Sequence, residues 1–203
     1  TEALEDGVVS EPEDVRQYAQ LIRLETHRLA GMIDDLFEMS QINAGTLMLD
    51  VGPVAVDDVV RSAVDAVRPS AEQKGVRVEV DGRPSGTLAV GAAPELMRVL
   101  RNLLGNAVRH TPATGAVTVS VGSDAAEVWL RVEDSCGGIS EHDLANVFEM
   151  GYRGTDARES GSAPQGAGMG LAIARGLLDA QSGSIDVHNH DTGCRFEIRL
   201  PAA

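Results

Sequence analysis

Three short stretches carry residue types whose spacing could do chemistry. In residues 95 to 112, Asn102, Asn106 and Arg109 recur at i, i+4 and i+7, with His110 beside them. On a helix that spacing places them along one face. Two side-chain amides one turn apart can offer oxygens to a single hard cation, and a guanidinium beyond them can meet a phosphate. The plainer account is a solvated helix face, although Asn is a poor helix former. In the second stretch, residues 132 to 139, Asp134 stands at the end of a strand pattern and is followed by Gly137 and Gly138. Paired glycines let a flat ligand approach the backbone, and the carboxylate could accept a hydrogen bond from an amino group such as that of adenine. Taken alone, this stretch reads better as a tight turn with a capping Asp. In the third, Gly166, Gly168 and Gly170 alternate directly into the apolar run Leu171-Ala172-Ile173. Backbone N–H groups at a helix start suit phosphate. The spacing is not the dinucleotide fingerprint, and no P-loop Lys-Ser or Lys-Thr follows.

These stretches need elements to position them. Apolar residues at 96, 99, 100, 103, 104, 107 and 108 predict an amphipathic helix over 94–109. Residues 116–122 and 127–133 read as a hairpin pair, and 184–189 and 194–200 as a second one around residues 190 to 193. Helices are expected over 57–74, 140–147 and 168–181, and strands over 76–80 and 87–91. Leu47, Leu49 and Val51 alternate as a further strand that Gly52-Pro53 ends. Residues 150–166, rich in Gly, Ser, Arg and Asp, are too long for a simple connector and read as a lid or binding loop. Residues 13–43 read as one long helix, with apolar positions at Val15, Tyr18, Ile22, Leu29, Met32, Leu36 and Met39 stepping by three and four, a row that Glu25 breaks once. That is a coiled-coil seam and predicts a partner helix from another chain; packing on the chain's own domain is the alternative. The fold class expected is α+β, a mixed sheet covered by helices on one face.

The 203 residues carry 17 Lys+Arg against 31 Asp+Glu, a formal net charge of −14. An acidic surface of this kind repels nucleic acid and anionic lipid, so neither is expected as a direct partner. No apolar run reaches the roughly 18 residues of a membrane span. The start, Thr1-Glu2-Ala3-Leu4, lacks an initiator Met and the pattern of a signal peptide, so a piece of a longer cytoplasmic protein is expected. The cysteines, Cys136 and Cys194, build no disulfide framework and are not expected to form a metal-ligand cluster.

In this order the stretches resemble the ATP-binding domain of sensor histidine kinases. Asn102 to Pro112 is similar to their N box, and Asp134 to Ile139 to the first glycine box. Phe148 with Tyr152-Arg153-Gly154 resembles the F box, and Gly166 to Leu171 the second glycine box. The long helix, ending Asp35-Leu36-Phe37-Glu38-Met39-Ser40, resembles the second helix of the family's dimerisation domain. The resemblance implies a two-layer α/β sandwich of the gyrase type over 46–203, preceded by a partial dimerisation and phosphotransfer domain over 1–45. It implies ATP and Mg²⁺ as cofactors. Asn106 would ligate Mg²⁺, with Asn102 supporting the metal and phosphate site. Arg109 and His110 would contact phosphates, and Asp134 would bind the adenine amino group, with Gly138 and Ile139 shaping its pocket. Tyr152, Arg153, Gly166, Gly168, Met169, Gly170 and Leu171 would complete the nucleotide site around an ATP lid at 150–166. A homodimer through the 13–43 helix, a response regulator receiver domain as partner, and a membrane-anchored bacterial sensor as the intact protein are further implications.

Two departures stand out. Cys136 occupies the position of the first glycine expected after the aspartate. It reads as a small buried residue, with a redox-sensing thiol as the sharper alternative; nothing nearby in sequence would lower its pKa. The family also phosphorylates a His in a His-acid-x-x-x-Pro context, which is absent here. His27 is followed by Arg28, and Met32 stands where Pro belongs; His110, His142, His188 and His190 fit no better. The chain is therefore expected to hold a nucleotide site without its own phosphoacceptor or adjacent acid. Two other classes compete with the kinase: a nucleotide-responsive interaction module without kinase activity, and an anti-sigma-type serine kinase, against which the helical seam argues.

Overall fold

The computed structural model describes residues 12–82, 86–124, 126–152, 154 and 168–203. The long helix α1 runs Pro12–Ala44, with Glu13 and Asp14 at its positive end. It stops at Gly45, whose φ of 64° lets Gly45 N–H reach the Ile42 carbonyl and Thr46 N–H the Gln41 carbonyl. These two bonds satisfy carbonyls that the helix end would otherwise orphan. The elements that follow are β1 (Gly52–Ala55), α2 (Val56–Lys74), β2 (Arg77–Asp81), β3 (Leu88–Gly91), α3 (Ala93–His110), β4 (Ala116–Ser123) and β5 (Glu127–Asp134). Then come α4 (Glu141–Asn146), α5 (Gly170–Asp179), β6 (Ser184–His190) and β7 (Gly193–Pro201).

Five strands form one sheet in the order β2-β4-β5-β7-β6, with β2 parallel to β4 and the other pairs antiparallel. Alternation along β5 and β7 sends Val128, Leu130, Val132, Phe196, Ile198 and Leu200 inward. They meet the apolar faces of α2, α3 and α5, where Leu96, Leu100, Leu103, Leu104, Ile173 and Leu177 are fully buried. Burial of each such side chain contributes about 1.5–3 kcal/mol. The opposite sheet face carries charge pairs set by the same register: Arg131 to Glu197 at 2.6 Å and Arg195 to Glu133 at 2.6 Å. The fold is thus the α+β arrangement expected, a mixed sheet covered on one face by helices behind a long N-terminal helix.

Three points correct or complete these expectations. No strand forms over 47–51: Leu47 packs against the core without a strand neighbour, and pairing begins at Gly52 opposite Gly91. Pro53 lies inside β1 because this strand pairs only with β3, so a missing N–H breaks no second ladder. Second, β3, for which the sequence named no partner, forms a separate two-stranded sheet with β1. Third, the seam residue Met39 is buried in the chain's own core. Ile42 lies so close to α5 that a Cβ at Gly176 would stand 2.6 Å from it. Arg98 of α3 clamps the same end of α1, bridging Asp35 at 3.0 Å and Glu38 at 2.9 Å. The last turns of α1 therefore dock on their own domain, while Val15, Tyr18, Ile22, Leu29 and Leu36 remain exposed. The residue 1–6 segment and most of the 150–166 segment lie outside the described residues.

Candidate functional site

Helix α3 places the first group. Its apolar stripe faces the core, leaving Asn102 and Asn106 half-buried one turn apart and Arg109 and His110 in the exposed last turn. Lys74, at the end of α2, donates from Nζ to the Val108 carbonyl at 2.9 Å and to the Arg109 carbonyl. A cation on the last carbonyls complements the helix dipole and holds this end in place. At the other end, the buried Gln181 accepts from Ala92 N–H at 2.8 Å and ties the start of α3 to the chain leaving α5.

The amide nitrogen of Asn102 donates to the Gly170 carbonyl at 3.0 Å. This bond spans 68 residues and joins the first chemical stretch to the third. It leaves the Asn102 amide oxygen as the atom able to meet a cation or a bridging water. Met169 is buried and Leu171 packs against the core, so what residues 168–171 offer a ligand is backbone at the start of α5. Gly168 has a φ of 72°, and a Cβ there would stand 2.8 Å from the Tyr152 carbonyl oxygen. Gly151 N–H donates to the Gly168 carbonyl at 3.2 Å, so the two ends of the candidate lid meet at its base. Tyr152 commits its hydroxyl to Asp143 at 2.6 Å. Phe148 is held between the Arg175 guanidinium, 3.9 Å above its ring, and the edge of Phe196. Arg153 and Gly166 lie outside the described residues.

Asp134 is the unusual residue. It occupies an inward position of β5, in phase with Val128, Leu130 and Val132, and is only 5% exposed. A carboxylate on the apolar face of a sheet is costly unless its oxygens have partners. Oδ1 accepts from Cys136 N–H at 3.0 Å, and Oδ2 accepts from the Cys194 thiol at 3.3 Å. The turn beyond it is fastened by Asn189 of β6, which accepts from Ile139 N–H at 2.8 Å and donates to the Ile139 carbonyl at 2.7 Å. Gly138 packs against the same Asn189 side chain. The start of β4 comes to this turn as well. Ser135 Oγ accepts from Ala116 N–H at 3.0 Å, and a Cβ at Gly115 would stand 2.6 Å from that hydroxyl. The first stretch thus meets the third directly at Asn102–Gly170, and the second is tied through Ser135 to Ala116 at the start of β4, the strand that follows α3.

Two features were not legible in the sequence. Asn189 is a positioning residue within a hairpin, and nothing in its local spacing marks it. The cysteines, expected to form no metal-ligand cluster, lie with sulfurs 3.6 Å apart beside Asp134, and the three ligand atoms fall within 4.8 Å of one another. Burial holds the Cys194 thiol far above its ordinary range, and the Asp134 carboxylate adds to that. Burial first, then the hydrogen bond with Asp134, raises Cys136 too. Neither is a ready thiolate; the Gly138 N–H facing the Cys136 sulfur pulls the other way without outweighing burial.

A buried acid beside a glycine turn, an Asn-bearing helix and a glycine-rich helix start on one mixed sheet define a class of nucleotide-binding domain. Residues 91–203 match the family model of histidine kinase-, DNA gyrase B- and HSP90-like ATPases. The chain belongs to that family. Within it, the ATPase domain is of the sensor histidine kinase type. The chain is 31% identical to the sensor-like histidine kinase SenX3 of Mycobacterium tuberculosis over 191 residues, 94% of this chain and 46% of SenX3. It is 30% identical to the signal transduction histidine-protein kinase BaeS of Escherichia coli, covering 98% of this chain and 42% of BaeS. Among solved structures, full-length ShkA in complex with AMPPNP superposes with a TM-score of 0.78 at 26% identity, over 93% of this chain and 39% of ShkA. The histidine kinase AdeS of Acinetobacter baumannii shares the fold with a TM-score of 0.77 at 23% identity, over 98% of this chain and 90% of the AdeS chain. The chain spans less than half the length of the curated relatives named here. No helix among the described residues is long and apolar enough to cross a membrane.

Proposed function

We propose that residues 46–203 bind MgATP and present its γ-phosphoryl group to a histidine on a neighbouring helical domain, for relay to an aspartate of a response regulator. The observation that carries the reading is Asp134, a buried, inward-facing carboxylate at the mouth of a glycine turn. It accepts a hydrogen bond from the adenine amino group. Asn106 and Asn102 supply neutral oxygens of the kind a hard cation takes alongside phosphate oxygens. Mg²⁺ bound there neutralises phosphate charge as it shifts during transfer. Arg109 and His110 add positive charge and donors at the phosphate end. The backbone of Gly168 and Gly170, with Met169 and Leu171 anchoring it in the core, receives the phosphates at the start of α5.

Residues 1–45 belong in this reading to a dimerisation domain. The exposed apolar positions of α1 pair with a second copy, and the whole operates as the cytoplasmic part of a membrane-anchored sensor. His27 is exposed, with Nδ1 donating to the Arg23 carbonyl at 2.8 Å, and has no acid following it, so it is not the acceptor. That absence is also what favours the second reading, a nucleotide-responsive module without kinase activity. Acid-labile phosphohistidine formed from γ-labelled ATP by the intact protein selects the kinase; binding without transfer selects the module.

Calorimetric titration with ADP or AMPPNP, with and without Mg²⁺, tests the site. One saturable, Mg²⁺-sensitive site per chain is expected; a folded chain that binds no nucleotide refutes the reading. Asn106→Asp adds a carboxylate where phosphates approach. Metal-free ADP binding is expected to weaken by about tenfold or more through like-charge repulsion, with Mg²⁺ restoring part of it. An unchanged metal titration removes Asn106 from the metal site. Leu36→Lys changes a side chain that is 60% exposed, so the domain keeps its stability while a dimer dissociates. Sedimentation decides this, and a parent chain that is already monomeric refutes the seam for this chain.

A further inference from the structure

Cys136 and Cys194 are 58 residues apart in sequence, yet β5 and β7 are neighbours and bring their sulfurs to 3.6 Å. The Asp134 carboxylate lies on the same spot, with Oδ2 3.3 Å from the Cys194 sulfur. A tetrahedral site with metal–sulfur bonds of about 2.3 Å and metal–oxygen bonds of about 2.1 Å has ligand atoms about 3.6–3.8 Å apart. Two separations differ from that by a few tenths of an ångström, and the third, between the Cys136 sulfur and the carboxylate, lies within 4.8 Å, an edge that side-chain rotation must close. The surroundings also suit a metal. Cys136 N–H engages Oδ1 of Asp134 and leaves Oδ2 toward the sulfurs. Gly138 N–H points at the Cys136 sulfur from 3.4 Å, a donor that gains strength when the sulfur becomes a thiolate. Cys194 is buried and Cys136 half-buried, so the cluster is more accessible on the Cys136 side.

We propose that Asp134, Cys136 and Cys194 form a binding site for a thiophilic divalent cation such as Zn²⁺, and that its occupation excludes the adenine ring from Asp134. Two thiol protons leave to solvent as the metal binds. Two thiolates and one carboxylate against a divalent ion leave the site with a single negative charge, and water takes the fourth position. A coordinated cation itself drives the deprotonation of the thiols it binds. The carboxylate oxygen that meets the metal is the one through which Asp134 would meet an amino group. Metal and nucleotide therefore compete for one atom, and the chain becomes an ATPase domain that a thiophilic metal holds empty. The exclusion rests on Asp134 being the adenine contact; the metal site does not.

Cobalt is the probe. With thiols kept reduced and Mg²⁺ absent, Co²⁺ is expected to bind in a single equivalent, with sulfur-to-cobalt charge transfer in the near ultraviolet and the visible bands of a tetrahedral ion. Zn²⁺ should displace it. Cys136→Gly and Cys194→Ser, shown folded by circular dichroism, should each lose that spectrum. No charge-transfer band in the parent, or a band retained in both variants, overturns the site. In the second arm, Zn²⁺ at about ten times its own dissociation constant should weaken ADP binding by about tenfold. Cys136→Gly should abolish that zinc dependence. ADP affinity unmoved by a bound metal overturns the exclusion. A chain that binds no ADP even when metal-free refutes the nucleotide reading instead, and the cobalt spectrum still decides the metal site.

Discussion

Asp134→Asn is expected to weaken ADP binding by about ten- to a hundredfold while the chain stays folded. A hydrogen bond to a buried charged group is worth about 1.5–3 kcal/mol, and that range sets the expected loss. The substitution is nearly isosteric, and its remaining oxygen can keep the bond from Cys136 N–H that Asp134 accepts at 3.0 Å. What changes is the second atom. An amide nitrogen would face the ligand's amino group donor to donor, where a carboxylate oxygen accepts. The fold should tolerate it, because a neutral amide costs less to bury than a carboxylate at a position only 5% exposed. Titration calorimetry reads the affinity and thermal melting reads the fold. Unchanged affinity in a folded variant removes Asp134 from the nucleotide site.

Gly193→Ala is expected to lower stability by about 3 kcal/mol, the upper end for overpacking, and with it nucleotide binding. Gly193 opens β7 directly beneath the end of β5. A Cβ there would overlap the Asp134 carbonyl oxygen and stand 2.9 Å from Cys136 N. Both obstacles are backbone, so no side chain can swing aside; the strand and the glycine turn must separate. That movement displaces Asp134 and the turn carrying Gly138, so the binding loss comes through position rather than chemistry. For a domain of this size the melting temperature should fall by about 6–12 °C. Gly52→Ala is the control: a Cβ there meets nothing within 4 Å, and the effect should stay within about 0.5 kcal/mol. A Gly193→Ala chain that melts with the control refutes the close approach.

Much of the fold was legible because its signals are local. Every apolar position that marked α3 is buried, and both hairpins form where alternation and turn residues placed them. The errors fall where a partner decides. Leu47, Leu49 and Val51 alternate, but a strand needs a neighbour, and the available one, β3, pairs from Gly52 onward. Met39 satisfies the seam's spacing and an intrachain contact equally well; Arg98, 63 residues beyond Asp35, decides for the second at that end of α1. A heptad row states that a face will be covered and not by what.

The sequence by itself determined the chemical inventory of this protein. It set a net charge of −14, two amides and a guanidinium on one helix face, an acid before paired glycines, and glycines opening a helix. Each follows from residue type and a spacing of a few positions, which local backbone geometry converts directly into a face or a turn. The tertiary structure alone decided that Asp134 points inward, that Asn102 reaches Gly170, that Asn189 clamps the glycine turn, and that Cys136 meets Cys194 beside a carboxylate. Those contacts join residues between 50 and 68 positions apart. They depend on which strand lies beside which, and that order is set by burial of the whole core rather than by any local pattern.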